Sequence, residues 1–211
     1  MPDFDFNAIA AAASFDNFRE APILDTLAND TLLSPNSKLE QALSNSEAKG
    51  LPPISVTPMS GQHLSILTQL MGAKSVLEIG TLGGYSAICF AQGGAKVLTL
   101  TLYSELRLTV LPKLAEETRQ FDMVFIDAEF EDHIEHFDWA VKLTRPGGCV
   151  FFDDVVPAIF KNGEVKPGAD SILTHIGKDR VKAALMPNVV CHPMLPAPIF
   201  NGFVLALVKE H

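Results

Sequence analysis

A chain of 211 residues, 47% of them apolar, is long enough for one sizeable core and short for two domains. Its net charge of −9, with 16 Lys and Arg against 25 Asp and Glu and no basic cluster, excludes nucleic acid as a general partner, because a phosphate-binding face needs clustered Lys and Arg. The apolar runs are short and interrupted, far below the roughly 18 residues of a membrane span, so no membrane association is expected.

The N-terminus, MPDFDFNAIAAAASF, carries Asp3 and Asp5 where a secretory signal would carry Lys or Arg, which argues against a signal peptide. Three scattered cysteines, Cys89, Cys149 and Cys191, show neither CxxC spacing nor a disulfide framework and read as reduced residues of a cytoplasmic protein. Residues 1–50 form a polar, Ala-rich, helical N-terminal segment with breaks around Pro22 and Ser34-Pro35-Asn36. Leu51-Pro52-Pro53 links it to the main domain, 51–211.

In the main domain a helix is predicted over 58–71, where Leu64, Ile66, Leu67, Leu70 and Met71 recur at helical spacing. A short apolar strand, Val76-Leu77-Glu78-Ile79, runs into the turn Gly80-Thr81-Leu82-Gly83-Gly84 and then a helix over 86–92. Glycine in such a turn lets a ligand approach the backbone, and the helix beyond offers free N–H groups and the positive end of its dipole. A nucleoside-type cofactor suits that place. The dinucleotide fingerprint needs glycines at its third and sixth positions, which counted from Gly80 are Leu82 and Tyr85, so NAD and FAD fit poorly.

Further strands are expected over 96–102, 121–126, 149–152 and 203–208, with another over 181–185 or 188–192. Helices follow 121–126 and lie near 171–176, and Pro146-Gly147-Gly148 makes a turn. Strands alternating with helices indicate an α/β fold with a doubly wound, mostly parallel sheet. In such sheets ligands bind beyond the carboxyl ends of the strands, where Glu78, Asp127, Asp153 and Asp154 fall. Three aspartates at neighbouring strand tips can bind a hard divalent cation such as Mg²⁺, or they can satisfy turn N–H groups.

Five segments in register, ISVTPMSGQ (54–62), LEIGTLGGYS (77–86), FDMVFIDA (121–128), FDWAVKLTRPGG (137–148) and FFDDVV (151–156), resemble the cation-dependent, S-adenosylmethionine-using O-methyltransferases of the caffeoyl-CoA and catechol type. The resemblance runs from about 54 to 208 and implies a Rossmann-like methyltransferase fold. It implies cofactor contacts at Val56, Glu78, Gly80, Thr81, Ser86 and Asp127, and metal ligands at Asp127, Asp153 and Asp154, the last standing where the family has Asn. Asp127 is the implied catalytic residue. The implied reaction moves a methyl group to a phenolic or catecholic hydroxyl of a small aromatic molecule, a metal lowering that hydroxyl's pKa, in a homodimer.

Three departures from the family pattern stand out. The family's lysine after the first metal aspartate is Phe130 here, which leaves the metal alone or His133 or His136 to handle the proton. The carboxylate that binds the ribose falls near Thr101. From Thr101 to Phe121 there are only about 20 residues, too few for the helix, strand and helix of the family, since one βαβ unit takes roughly 30. The strand-like Glu105-Leu106-Arg107-Leu108 cannot pair in parallel with 98–102 across so short a connection. One strand is therefore expected to be lost, giving six strands instead of seven with 98–102 at an edge. A non-catalytic interaction protein keeping the fold is the alternative, and a Rossmann-type oxidoreductase a weaker one.

Overall fold

The computed structural model describes residues 20–101, 104–128, 132–161, 164–166, 168–177, 180–191 and 198–210. Proline marks the first helix, α1 (Ala21–Leu32), as its start and not as a break, because Pro22 sits in the first turn, where no N–H is needed. Asn36 caps α2 (Ser37–Ala48), its side chain accepting from the N–H groups of Lys38 and Leu39 at 3.2 and 3.3 Å. Thr57 caps α3 (Pro58–Leu70) by accepting from Ser60 N at 3.3 Å. Each cap satisfies donors that a helix start leaves open.

The central sheet has six strands in the order β2 (Lys96–Leu100), β1 (Ser75–Ile79), β3 (Phe121–Ile126), β4 (Thr144–Phe152), β8 (Ile199–Val208) and β7 (Val181–Val190). The first four run parallel, and β8 and β7 are antiparallel to their neighbours. A separate two-stranded ribbon pairs β5 (Phe160–Lys161) with β6 (Glu164–Val165). The remaining helices are α4 (Tyr85–Gln92), α5 (Ser104–Glu116), α6 (His133–Leu143), α7 (Val155–Ile159) and α8 (Ala169–Ile176). Strand alternation divides the core. Leu77, Ile79, Val124, Ile126, Val150 and Phe152 pack with Leu111, Leu114 and Phe137 of α5 and α6, while Val76, Met123, Phe125 and Phe151 pack with Leu64 of α3 and Phe90 of α4. Both faces are covered, as a parallel sheet requires.

The predicted six-stranded, doubly wound arrangement holds, and β2 is an edge strand with Thr99 exposed. Residues 105–108 are corrected: they belong to α5, not to a strand. A helix is the element that can follow β2 and return the chain to the parallel β3 in so few residues. The two candidate strands over 181–192 are one continuous β7, with Pro187 inside it. Proline is tolerated there because β7 pairs on one side only. The Pro146-Gly147-Gly148 turn is an irregularity within β4, where the pairing jumps from Phe121↔Thr144 to Met123↔Cys149.

At the amino ends of the strands Asp122 gathers four donors: Lys74 N at 2.8 Å, Ser75 N at 2.9 Å, Ser75 Oγ at 3.0 Å and Arg145 Nε at 2.6 Å. Burial alone would raise its pKa, but Arg145, the two backbone N–H groups and the Ser75 hydroxyl outweigh it and hold the carboxyl at about 2. The folded pKa lies below the unfolded value of 3.8, so this stabilisation is present above pH 3.8 and is lost as pH falls towards 2. Asp122→Ala is expected to cost about 2–3 kcal/mol at neutral pH. Urea titrations from pH 5 to 2 check this, and the variant should lose the part of the acid descent that Asp122 supplies.

Candidate active site

The glycine turn is built around a backbone contact that no side chain could occupy. Gly80 has φ +114, and a Cβ there would lie 1.8 Å from the carbonyl oxygen of Asp127. Gly80 N and Thr81 N both donate to Leu100 O, at 2.9 and 3.1 Å, and Asp127 N donates to Ile79 O at 3.0 Å. The tips of β1, β2 and β3 are thereby laced together. Glu78, fully buried, accepts from the hydroxyls of Ser86 and Thr99. Its carboxylate anchors the start of α4, behind Gly84 at φ +80. On the outer side Gly83 abuts Ser46 of α2, so the N-terminal helices back the turn.

Asp127, Asp153 and Asp154 follow directly on the ends of β3 and β4. Burial pushes the Asp127 carboxyl well above the ordinary carboxylate range, and the charges of Asp153, Asp154 and Glu78 push it further. Asp153 rises to about 7, through burial and then the charge of Asp154, partly offset by the Asp154 N–H, which it accepts at 2.9 Å. Asp154 takes the left-handed conformation, φ +55, at the head of α7, and accepts from Asn201 Nδ2 at 2.7 Å. These acids open onto a cavity of about 280 Å³. Its other walls include Val56, Thr57 and His63 from the 53–64 stretch, Phe151, and Asn188, Asn201 and Phe203 from the β7–β8 hairpin. His63 stands edge-on to Phe151 at 5.9 Å and tilted against Phe203 at 5.7 Å, and partial burial lowers its pKa, which favours the neutral ring.

The family of O-methyltransferases matches the chain in two stretches, residues 30–102 and 95–176. A catechol O-methyltransferase of Niastella koreensis is 32% identical over 86% of this chain and 91% of its own length, and one of Mycobacterium tuberculosis is 34% identical over 89% and 96%. The chain belongs to the O-methyltransferase family. It is a member of the S-adenosylmethionine-dependent, catechol and caffeoyl-CoA type that its motifs resemble. An O-methyltransferase of Bacillus cereus in complex with SAH superposes with a TM-score of 0.74 at 30% identity, over 89% of this chain and 97% of that one. TomG of Streptomyces achromogenes, in complex with SAM, gives 0.68 at 27% identity over 89% and 96%.

Compared with these relatives this O-methyltransferase is shorter within the aligned stretch. The alignment with the Niastella enzyme runs over 212 positions yet takes in 86% of a 211-residue chain. Roughly 30 of its positions therefore face gaps in this chain, about one strand-and-helix unit. The two stretches of the family match meet at β2, after which the sheet has no further strand among the described residues.

The structure brings the predicted site residues into two adjoining groups. Glu78, Gly80, Thr81 and Ser86 form the turn, while Val56, Asp127, Asp153 and Asp154 line the cavity, and the Gly80–Asp127 contact joins the groups. Thr101, exposed, follows the end of β2 without the carboxylate of the family pattern. His133 and His136 are buried, and His133 Nε2 donates to Ala128 O at 3.1 Å. Its ring meets Phe152 edge-on at 4.6 Å. Neither histidine is among the cavity's lining residues. Phe130 lies outside the described residues. His63, Asn188 and Asn201 escaped the sequence reading.

In kind, the three carboxylates suit a hard cation. They are oxygen donors, the charges of Asp153 and Asp154 raise the pKa of Asp127, and no described residue donates a hydrogen bond to the Asp127 side chain. Among the described residues, no group of three or more His, Cys, Asp or Glu side chains is disposed to hold a metal ion. Asp154 is instead turned to Asn201. No described helix is long and apolar enough to cross a membrane.

Proposed function

We propose that this protein moves a methyl group from S-adenosylmethionine to a phenolic or catecholic hydroxyl of a small aromatic molecule, with a divalent cation held by Asp127, Asp153 and Asp154. The observation that carries the reading is the contact of Gly80 with the Asp127 backbone. It makes the turn suited to the methyl donor and the cavity suited to the acceptor two sides of one wall. The SAH and SAM complexes of the Bacillus and Streptomyces relatives support the choice of donor. A cation bound by these carboxylates would lower the pKa of the acceptor hydroxyl.

The chain's own residues supply the rest. Gly80 and Thr81 keep the turn open to a ligand, Ser86 and Glu78 fix its geometry, and the neutral His63 with Phe151 and Phe203 offers ring faces to a planar acceptor. The acceptor oxygen forms the new C–O bond as the C–S bond breaks, sulfur keeping the bonding pair. The hydroxyl proton passes to the Asp127 carboxylate, which lines the cavity where the acceptor would lie.

A catechol panel tests the proposal, with transfer of labelled methyl followed with Mg²⁺ and with EDTA. Methylated product that depends on the cation is expected. The second reading, a protein that keeps the fold but has lost turnover, is favoured by Thr101 and the short connection after β2. Calorimetric titration with S-adenosylmethionine separates them: no heat at millimolar ligand would leave the second reading standing.

A further inference from the structure

The last aspartate of the cluster is tied to the β7–β8 hairpin. Asp154 Oδ1 accepts from Asn201 Nδ2 at 2.7 Å, and among the described residues no hydrogen bond reaches its Oδ2. Both residues line the cavity, and Asn201 is buried. The Asn201 Oδ1 accepts from Gly202 N at 2.7 Å. Its amide is therefore used at both ends and has one orientation, oxygen to the backbone N–H and N–H to the carboxylate. A hydrogen bond to an ionised acceptor is roughly twice as strong as one between neutral groups.

Neither end of this contact is free to retreat. A Cβ on Gly202 would lie 2.5 Å from Val156 Cγ2 and 2.8 Å from Met186 O, so β8 packs closely on α7, the helix that Asp154 heads. Asp154 sits there at φ +55, with its own N–H bonded to Asp153 at 2.9 Å. Its charge repels those of Asp127 and Asp153. Among the described residues, Asn201 is the only side chain that donates a hydrogen bond to any of the three aspartates. The donor is a neutral amide. It restrains the carboxylate without cancelling its charge, as an ammonium or guanidinium would.

We propose that Asn201 is a positioning residue for the divalent cation: by holding Asp154 Oδ1 it fixes the carboxylate and leaves Oδ2 to serve as the ligand. The inference rests on the cation reading of the cluster. A ligating carboxylate restrained by an outer partner has less freedom to lose when the ion arrives, and loss of such a partner costs about 10–100-fold in metal affinity.

The test titrates EDTA-stripped full-length protein with Mg²⁺ by calorimetry at pH 8, in wild type, Asn201→Leu and the exchanged pair Asp154→Asn/Asn201→Asp. Asn201→Leu should bind Mg²⁺ about 10–100-fold more weakly. The exchanged pair keeps one carboxylate, one carboxamide and the hydrogen bond between them, and should stay within about ten-fold of wild type. Thermal melting of the stripped protein reads the contact without the ion. Asn201→Asp alone sets carboxylate against carboxylate and should melt below wild type, and adding Asp154→Asn should recover most of the loss. That arm decides the matter even where Asn201→Leu does not fold. Unchanged Mg²⁺ affinity in Asn201→Leu, or no recovery in the exchanged pair, overturns this inference alone. Absence of Mg²⁺ binding by wild type overturns the cation reading and this inference with it.

Discussion

Gly80→Ala is expected to abolish S-adenosylmethionine binding and to destabilise the protein by about 2–5 kcal/mol, the sum of backbone strain and overpacking. The added Cβ would meet Asp127 O at 1.8 Å, Asp127 C at 2.6 Å and Ala128 N at 3.3 Å. All three are backbone atoms, so no rotamer change relieves the clash. The relief open to the chain is to part β1 from β3 at their tips, which strains the 3.0 Å bond from Asp127 N to Ile79 O and opens the wall between donor and acceptor sites. Gly84→Ala is the matched control. It also sits at positive φ, +80, but its Cβ would meet nothing within 4 Å, so strain alone, about 1 kcal/mol, is expected. Thermal denaturation and calorimetric titration of both variants check the contrast. Equal behaviour of the two would remove the close approach as the reason for glycine at position 80.

Asp127→Asn should change activity and stability in opposite directions. Methyl transfer is expected to fall by about 10²–10⁴-fold, the usual worth of a positioned proton acceptor. The metal-free protein is expected to become more stable, because the buried charge and its repulsion with Asp153, Asp154 and Glu78 are gone. The pH dependence follows from the same cause. Asp153 has a folded pKa of about 7 against 3.8 unfolded, so between these values the folded state holds a proton that the unfolded state has released. Its contribution therefore stabilises less and less as pH rises from 3.8 to 7 and changes little above. A cation bound by the ionised cluster offsets that loss. The rise in melting temperature on adding Mg²⁺ to protein stripped with EDTA should be larger at pH 8 than at pH 5.5, and an increment independent of pH would count against cation binding by these carboxylates.

The elements easiest to read were those whose burial leaves a continuous apolar run. Phe121–Ile126 has five of six residues buried, and its limits in the sequence coincide with β3. Ambiguity arose where periodicity was short. Glu105-Leu106-Arg107-Leu108 alternates like a strand, and connection length, not local pattern, makes it helical in α5. The alternatives 181–185 and 188–192 fall on either side of Pro187, and β7 runs through it, because a proline costs a ladder bond at an interior position and nothing on the outer side of an edge strand. In the site, Asp127, Asp153 and Asp154 were legible as acids closing apolar strands. Asn201 and Asn188 were not. Asn201 meets Asp154 across 47 residues of sequence, and Asn188 is set opposite Asn201 by the hairpin register, which no local motif encodes. His63 stands in a helix otherwise read for its leucines, and a polar residue on such a helix signals nothing until Phe151 and Phe203 are placed beside it.

Among the described residues the sheet stops at β2, and what is trimmed is a border. Every pairing that shapes the turn and the acid tips, β1 with β2, β1 with β3 and β3 with β4, lies inboard of that border and keeps its alignment whatever once bordered it. A protein assembled in this way can shed a peripheral unit without retuning its centre. The loss is felt on one flank alone, where Thr101 now faces solvent and the sugar of a bound nucleoside would find little to hold it.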